Sequence, residues 1–539
     1  MKILLLHPKI NYDNMEPLGL LLLATVCRQH GFDVRVLDIF PDDNDYYMHK
    51  TLEFRPDIIG YGFETPAYPR VIEINRTLRA RYPSALYCAG GVHTSSTPEQ
   101  TLRECDLDIV VIGEAEVSFP LLCTAHAEGR ALDSIPGTGY LRGDTYIQTS
   151  PPPPVENLDS LPVIDRTLLD CHQFYFSPPG NIRGLVRPGT ATMITSRGCP
   201  YACAFCDSKS VTGKHCRRRS VENVVEEMKY LHSTFGITAV YFADDIFASN
   251  NTWTEHFCRT LIESNLHMRW GCQCRADGIS ESMVKLMKQA GCIQIDMGVE
   301  SGDPLVLDEL NKGESVETFI RAARIIRNNK VRLLCSFIVG APAETWESIE
   351  KTASLIRQLK PSLTQVFSLI PYPGAPIWRR AIDNGWISPR LHLHGYSQKS
   401  GGGPVLSCGL SPDDHARARK FLQRIHFLSH YRGLIFGWLR YPRYLLLIIF
   451  SWISNGFYYH DLITGIRQRN PVLYCEAVYA GFNRYMRDTI RNRTIKTEAA
   501  VGERAADLKI SARFAGIMPL QKIKQTVSVC LNFINISLH

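Results

Sequence analysis

The chain has 539 residues, 45% hydrophobic and 21% charged, which is too long for one ordinary core and calls for two or three folded domains. With 60 Lys and Arg against 53 Asp and Glu, the net charge of +7 makes no strong case for nucleic acid, although the excess gathers toward the C-terminus. The 17 cysteines are scattered without a repeating framework, which excludes a secreted disulfide scaffold.

The opening run Met1 to Leu6 is short and has no small-residue cleavage site, so it reads as a strand rather than a signal peptide. A reducing cytoplasm is the expected compartment. Over residues 1–150 apolar runs alternate with helical patterns: Ile3 to Leu6, a helix Gly19 to His30, Val34 to Leu37, Ile58 to Tyr61, a helix Tyr68 to Tyr82, Leu86 to Ala89 and Ile109 to Ile112. That alternation predicts an α/β domain with a doubly wound parallel sheet, which binds ligands beyond the C-terminal ends of its strands. Glycines and short polar residues collect at those ends, in Gly60 to Thr65 (including Glu64), Gly90 to Ser95 (including Gly91 and His93) and Gly113 to Glu116 (including Glu114). Three such loops in register let backbone approach a bulky ligand.

Pro151 to Pro154 opens a stiff linker that runs as a strap over residues 151–187. From 188 to 395 the alternation resumes. A strand Ala191 to Thr195 leads into Arg197-Gly198-Cys199-Pro200-Tyr201-Ala202-Cys203-Ala204-Phe205-Cys206. Three thiolates on one loop can ligate three irons of a 4Fe-4S cluster and leave the fourth open for chemistry. The next cysteine, Cys216, stands ten residues on, beyond a basic run. The competing readings are buried small hydrophobes and a zinc site, whose ligands usually come as separated pairs. A helix Val221 to Phe235 precedes a strand Ala239 to Asp245 ending in Asp244 and Asp245, which could instead cap the helix from about Asn251 to Ser264. Later strands are Met268 to Cys274, Ile293 to Val299, Leu333 to Val339 and Gln365 to Ile370, with polar ends at Arg275, Glu300 and Gly340. Six such ends on one rim describe a partial (βα)6 barrel with its chemistry at the C-terminal face. Cys272, Cys274, Cys292 and Cys335 sit at apolar positions and read as core.

At the cysteine loop the chain resembles the radical S-adenosylmethionine (SAM) superfamily, including the aromatic Phe205 before the last cysteine, and its N-terminal loops resemble a cobalamin-binding domain. The resemblance is to cobalamin-dependent radical SAM enzymes of the methyltransferase type. It implies a 4Fe-4S cluster on Cys199, Cys203 and Cys206, and SAM cleaved to a 5'-deoxyadenosyl radical. Phe205 and Asp244 or Asp245 would sit at SAM, the carboxylates holding its amino group. Arg275 would face its carboxylate, Glu300 its ribose, and backbone at Val339 and Gly340 its adenine. It also implies cobalamin against Gly90, Gly91, Gly113 and Glu114, with Glu64, Thr65, Ser95 and Ser96 bonding corrin amides or the nucleotide tail. Family members carry Gly-Gly-Pro-His and Gly-Glu-Gly-Glu where this chain has Val92 and Ala115. The Asp-x-His-x-x-Gly motif that ligates cobalt in mutases is absent after Asp38. His93 is then either a lower ligand of cobalt or a loop histidine bonded to backbone; a degenerate domain that binds nothing is the other reading.

In the methyltransferases of this group one SAM methylates cobalt and a second supplies the radical that activates an unreactive carbon of a small-molecule substrate. Others cyclise or oxidise porphyrin-like or isoprenoid compounds without methyl transfer. An electron donor such as flavodoxin or ferredoxin is implied. The methylthiotransferase relatives need three further N-terminal cysteines, and Cys27, Cys88, Cys105 and Cys123 do not form that set. A non-catalytic sensor would not need the SAM-position residues.

The region 396–539 is read as helical. Ser411 caps a helix with acidic Asp413 and Asp414 in its first turn. Gly433 to Ile453 is apolar but interrupted at Arg440 to Arg443, too short on either side to span a bilayer. It reads either as an interfacial helix giving peripheral contact with the inner face of the membrane or as a helix pair on the barrel mouth. The first reading favours a hydrophobic lipid or natural product as substrate. The tail after Arg493 is weakly patterned and is assigned no task.

Overall fold

The computed structural model describes residues 1–425 except 12–14, 177–181, 183–188, 249, 388–405 and 407, with Arg487 beyond them. The first sheet comprises β1 (Lys2–Pro8), β2 (Asp33–Ile39), β3 (Ile58–Gly62), β4 (Leu86–Gly90), β5 (Ile109–Val111), β6 (Thr138–Arg142) and β7 (Thr145–Gln148), in the order β2-β1-β3-β4-β5-β6-β7. β1 to β5 are parallel, whereas β6 and β7 add an antiparallel hairpin at one edge that the strand-helix alternation did not announce.

Helices cover both faces of the parallel part, which is why β1 is an almost unbroken apolar run. Ile3 and Leu5 join the core that includes Leu21 and Ala24 of the helix Leu18–Gln29, while Leu4 and Leu6 join the opposite core with Val71 and Leu78 of the helix Tyr68–Arg81. Each such leucine, fully buried, contributes about 1.5–3 kcal/mol. With both faces closed, only the strand ends are left to meet a ligand.

The second sheet begins with β8 (Thr190–Met193). A two-stranded ribbon follows, β9 (Ser196–Arg197) against β10 (Arg217–Arg218), and then β11 (Ala239–Phe242), β12 (Arg269–Cys274), β13 (Cys292–Glu300), β14 (Arg332–Val339) and β15 (Leu363–Ser368). The order β15-β14-β13-β12-β11-β8 is parallel throughout, an open six-stranded partial barrel. Its helices have clear ends. The helix Val221–Phe235 is capped by Ser220 Oγ, which accepts from Asn223 N–H at 3.2 Å, and stops at left-handed Gly236. Cys272, Cys274, Cys292 and Cys335 are buried in the core between this sheet and its helices.

The helix Pro412–Arg424 belongs to that same core. Ala418 and Leu422 pack into it, and Ser411 Oγ accepts from Asp414 N–H. No helix among the described residues is long and apolar enough to cross a membrane. The stretch Gly433 to Ile453, the Gly401 to Gly403 break and the tail after Arg493 lie outside the described residues.

The strap between the sheets is anchored by Arg166, whose side chain is fully buried. It donates to Glu16 ahead of the first helix (2.8 Å), to Glu227 on Val221–Phe235 (3.2 Å) and to the carbonyl of Thr192 on β8 (2.8 Å).

Candidate functional site

A cavity of about 610 Å³ lies between the C-terminal strand ends of the two sheets. The first sheet contributes His7, Gly60 to Glu64, Cys88 to Val92 and Gly113 to Glu116; the second contributes Ile194, Ser196, Arg197, Ala243 and Asp245. A Cβ added at Gly90 would meet nothing nearer than the Val111 carbonyl at 3.5 Å, so the backbone there borders open space. Gly91 follows with φ +93°, a conformation that favours glycine. The rim is therefore open where a broad cofactor must lie against backbone.

The cysteine loop begins directly after Ser196 and Arg197, which line this cavity. Its base is the β9–β10 ribbon, and Gly198 at φ +88° starts the loop so tightly that a Cβ there would stand 2.2 Å from the His215 carbonyl oxygen. Backbone bonds fix its middle: Ala204 N–H donates to Leu310 O and Ile377 N–H to Ala204 O, each at 2.8 Å, while Asn311 Nδ2 donates to Ala202 O at 2.7 Å. Cys199, Cys203 and Cys206 are free and half-buried. Burial raises the Cys199 thiol, and the charges of Asp245, Cys206 and Cys203 raise it further. Burial also raises Cys203, against the pull of Lys312 and Arg275 toward the thiolate that iron requires. Among the described residues no group of three or more His, Cys, Asp or Glu is placed to hold a metal ion.

The cations beside Cys203 form a network that sequence reasoning missed. Lys312 Nζ lies 3.1 Å from Glu300 and 3.6 Å from Glu314, and Arg275 bridges Asp277 at 3.2 Å and Glu314 at 3.4 Å while stacking 3.7 Å over the Tyr201 ring. Glu300 takes a left-handed φ of +67° at an irregularity in the β13–β14 register, which aims its carboxylate at Lys312. Arg275 spends further donors on the carbonyls of Lys312 and Gly313. Both expected SAM contacts, Arg275 and Glu300, are thus engaged within the protein and hold the cysteine loop and its electrostatics.

Other expected contacts are also redirected. Asp244 is buried, and its carboxylate accepts from Thr195 N–H (2.6 Å), the Thr195 hydroxyl and Ser196 Oγ (2.8 Å). It ties the end of β11 to the end of β8, and Asp245 is the carboxylate that faces the cavity. Burial raises the Asp245 carboxyl, with Asp244 adding to it. Neither caps the next helix: Asn250 Oδ1 does, accepting from Trp253 N–H at 3.0 Å. Phe205 packs in the apolar cluster of Leu310, Ile338, Leu369 and Ile377. At Gly340 the N–H donates to Glu344, and His415 covers the turn, its Nε2 3.2 Å from Val339 O; this backbone is therefore already bonded within the protein where adenine was expected. His415 arrives from far along the chain, so no local signal could have found it.

On the cobalamin side, His93 is fully buried and outside the cavity lining. Its Nδ1 is 3.0 Å from Thr65 Oγ1 and its Nε2 3.3 Å from Thr97 Oγ1, with Tyr68 packed on its ring at 4.4 Å. Burial pushes its pKa down to about 4. It is thus neither a cobalt ligand nor a loop histidine bonded to backbone through its ring, and Thr65 serves it rather than a cofactor. Ser95 accepts from Gly113 N–H at 2.9 Å, and Ser96 donates to Asp207 at 3.3 Å, just past Cys206. Glu64 remains at the cavity, near Tyr372 of the second half. Glu114 lines the cavity but takes a two-pronged bond from Arg217 (2.9 and 2.5 Å), with Arg197 at 3.3 Å. Burial works to raise its carboxyl, but these arginines outweigh it and hold it below the ordinary range. Arg197 also binds Glu116 at 2.5 Å. These pairs clamp the base of the cysteine loop to the first sheet.

A glycine-lined sheet edge shares one cavity with the strand ends from which the three-cysteine loop springs, an arrangement suited to bringing two large cofactors together. The comparisons agree. Residues 193–356 match the Radical SAM superfamily and residues 11–122 the B12 binding domain. An uncharacterized methyltransferase of Pyrococcus horikoshii is 32% identical over 397 residues, covering 72% of this chain and 84% of that protein. The anaerobic magnesium-protoporphyrin IX monomethyl ester cyclase of Rubrivivax gelatinosus is 26% identical, covering 85% and 83%. The structure of the radical SAM methyltransferase TsrM from Kitasatospora setae, with cobalamin and a 4Fe-4S cluster bound, shares the fold with a TM-score of 0.59 at 21% identity, covering 79% of this chain and 85% of that one. The chain belongs to the cobalamin-dependent radical SAM enzyme family, and its cofactors are a 4Fe-4S cluster, SAM and cobalamin.

Proposed function

We propose that this enzyme methylates an unactivated carbon of a hydrophobic small molecule. The observation that carries the reading is one cavity bordered by the glycine-lined strand ends of the first sheet and by Ser196, Arg197 and Asp245 at the strand ends that carry the cysteine loop, because methyl transfer to carbon needs a methyl donor and a radical source on one substrate. The relative named as a methyltransferase supports it. When bound, the cluster and SAM supply a hydrogen-abstracting radical and cobalamin supplies the methyl group.

The chain's own residues bind and hold. Cys199, Cys203 and Cys206 ligate the cluster, and Lys312 and Arg275 favour the thiolate at Cys203. Asp245 offers the cavity its carboxylate, fit to accept from a charged ammonium. The Glu114–Arg217 and Glu116–Arg197 pairs keep the two halves in register, so reacting groups meet at a fixed separation. Apolar Leu20, Leu23, Phe63 and Phe119 line the cavity wall. The apolar run Gly433 to Ile453 adds to the case for a hydrophobic substrate.

The second reading is a cyclase or oxidase of a porphyrin-like substrate without methyl transfer, favoured by the likeness to the cyclase over 85% of this chain. The test is anaerobic turnover with SAM carrying a deuterated methyl group, against a panel of lipids and tetrapyrroles. A product heavier by one labelled methyl, together with 5'-deoxyadenosine, is expected. A dehydrogenated or cyclised product without label would replace methyl transfer with the second reading.

A further inference from the structure

One cavity-facing side chain has no place in the reading so far. His7 is the penultimate residue of β1, and its direct ladder partner across the sheet is Asp38 on β2. The two side chains meet there, His7 Nδ1 lying 2.8 Å from Asp38 Oδ1. Asp38 is itself fixed, by Lys9 at 3.3 Å and by the Tyr175 hydroxyl from the strap. Burial works to raise its carboxyl, but Lys9, His7 and Tyr175 outweigh this and keep it below the ordinary range. It is therefore an acceptor only, and His7 must donate its Nδ1 proton to it. That fixes the tautomer and leaves the Nε2 lone pair open. His7 Nε2 makes no hydrogen bond to a described residue, and the side chain is 24% exposed.

We propose that His7 is the protein's lower ligand to the cobalt of bound cobalamin, with Asp38 as the residue that orients it. The proposal rests on the cavity being the cobalamin site. Imidazole nitrogen is the donor that suits a transition metal best among the groups available in this cavity. Its competitors are spent or unsuited. Glu16 is bound by Arg166 and Thr192 N–H, Glu114 by two arginines, and burial keeps the Cys88 thiol protonated. Glu64 and Asp245 offer oxygen, a harder donor. A ligating histidine that passes its second nitrogen's proton to a buried carboxylate is the arrangement that fixes ring orientation and raises ligand basicity. The step is a ligand exchange: a bond forms between His7 Nε2 and cobalt, and the cofactor's own lower base leaves; no electron moves. The mutase-type motif sought after Asp38 is absent, but here histidine and aspartate come from two adjacent strand ends instead of one loop.

The test is electron paramagnetic resonance of the full-length chain loaded anaerobically with cobalamin and reduced to the cobalt(II) state. Ordinary protein should show threefold nitrogen splitting of the cobalt lines. Protein made with 15N-labelled histidine should show twofold splitting. His7→Gln should lose the splitting while the absorbance spectrum shows cobalamin retained. Threefold splitting that persists in the labelled protein would mean the cofactor's own base is the ligand and would overturn the proposal, as would the absence of nitrogen splitting in the wild type. These results leave the cofactor assignment standing. Failure of the wild-type chain to retain cobalamin would instead overturn both.

Discussion

Replacing Arg166 by methionine tests how the two halves of the molecule are joined. The guanidinium is fully buried between Glu16 and Glu227 and also holds the Thr192 carbonyl. Glu227 keeps a partner in the variant, since Arg219 Nη1 lies 2.6 Å away. Among the described residues Glu16 keeps only the Thr192 N–H at 3.0 Å and becomes an uncompensated buried carboxylate. Breaking one side of a buried ion pair costs about 3–5 kcal/mol, a large share of the roughly 5–15 kcal/mol by which folded proteins are stable. Urea unfolding should show this loss at neutral pH. The pH dependence gives the sign. Burial already raises the Glu16 carboxyl despite Arg166, and without the arginine it rises further. The folded variant then holds a proton that the unfolded chain releases, so its deficit is smallest below the ordinary value of 4.5. The deficit grows by up to about 1.4 kcal/mol per pH unit between the folded value of Glu16 in the wild type and its higher folded value in the variant. A deficit under about 1 kcal/mol, or one that widens as pH falls, would refute the reasoning.

Replacing Cys199, Cys203 or Cys206 singly by alanine should abolish iron and sulfide retention after anaerobic reconstitution while leaving cobalamin binding intact; retained cluster in any of the three would remove that residue from the ligand set. Gly198→Ala combines a left-handed φ with a Cβ 2.2 Å from the His215 carbonyl. It should cost at least about 1–2 kcal/mol from the backbone alone, and iron content should fall with it; wild-type unfolding and iron content would show that the loop start tolerates a side chain. His93 is held neutral, its pKa lowered from 6.5 to about 4 by burial. The unfolded chain therefore takes up a proton first as pH falls. Stability from this group should decline by about 3 kcal/mol between those values, and His93→Gln should flatten the decline without altering the cobalamin spectrum.

The architecture was legible because burial on both sheet faces writes itself as apolar runs. Ile3 to Leu6, Ile58 to Tyr61 and Leu333 to Val339 all fall within parallel strands, and Val221 to Phe235 is a helix with the bounds its pattern suggests. The hairpin β6–β7 escaped because it lies at the sheet edge, half exposed, and lacks an apolar run. The location of the site at the strand ends was legible too. What the sequence left open was the direction of each polar side chain there. Neighbours such as Asp244 and Asp245 point to different sides, and the choice between them is made by Thr195 and Ser196 on another strand. Glu114 looked like a cofactor contact until Arg217, 103 residues away, took both its oxygens.

A common cause underlies these redirections. A cavity formed between two sheets must first be held at a fixed width, and the strand ends are the parts of each sheet that face the other. Charged residues at those ends are therefore recruited to cross the gap, as Glu114 and Glu116 do toward Arg217 and Arg197, or to buttress their own loops, as Asp244 and His93 do. Glycines, with no side chain to recruit, keep the rim open. A polar group whose partner lies beside it in its own sheet can be oriented toward a ligand without spanning the cavity. His7 and Asp38, side by side on adjacent strands, meet that condition, although His7 ends an apolar run that by pattern alone belongs to the core.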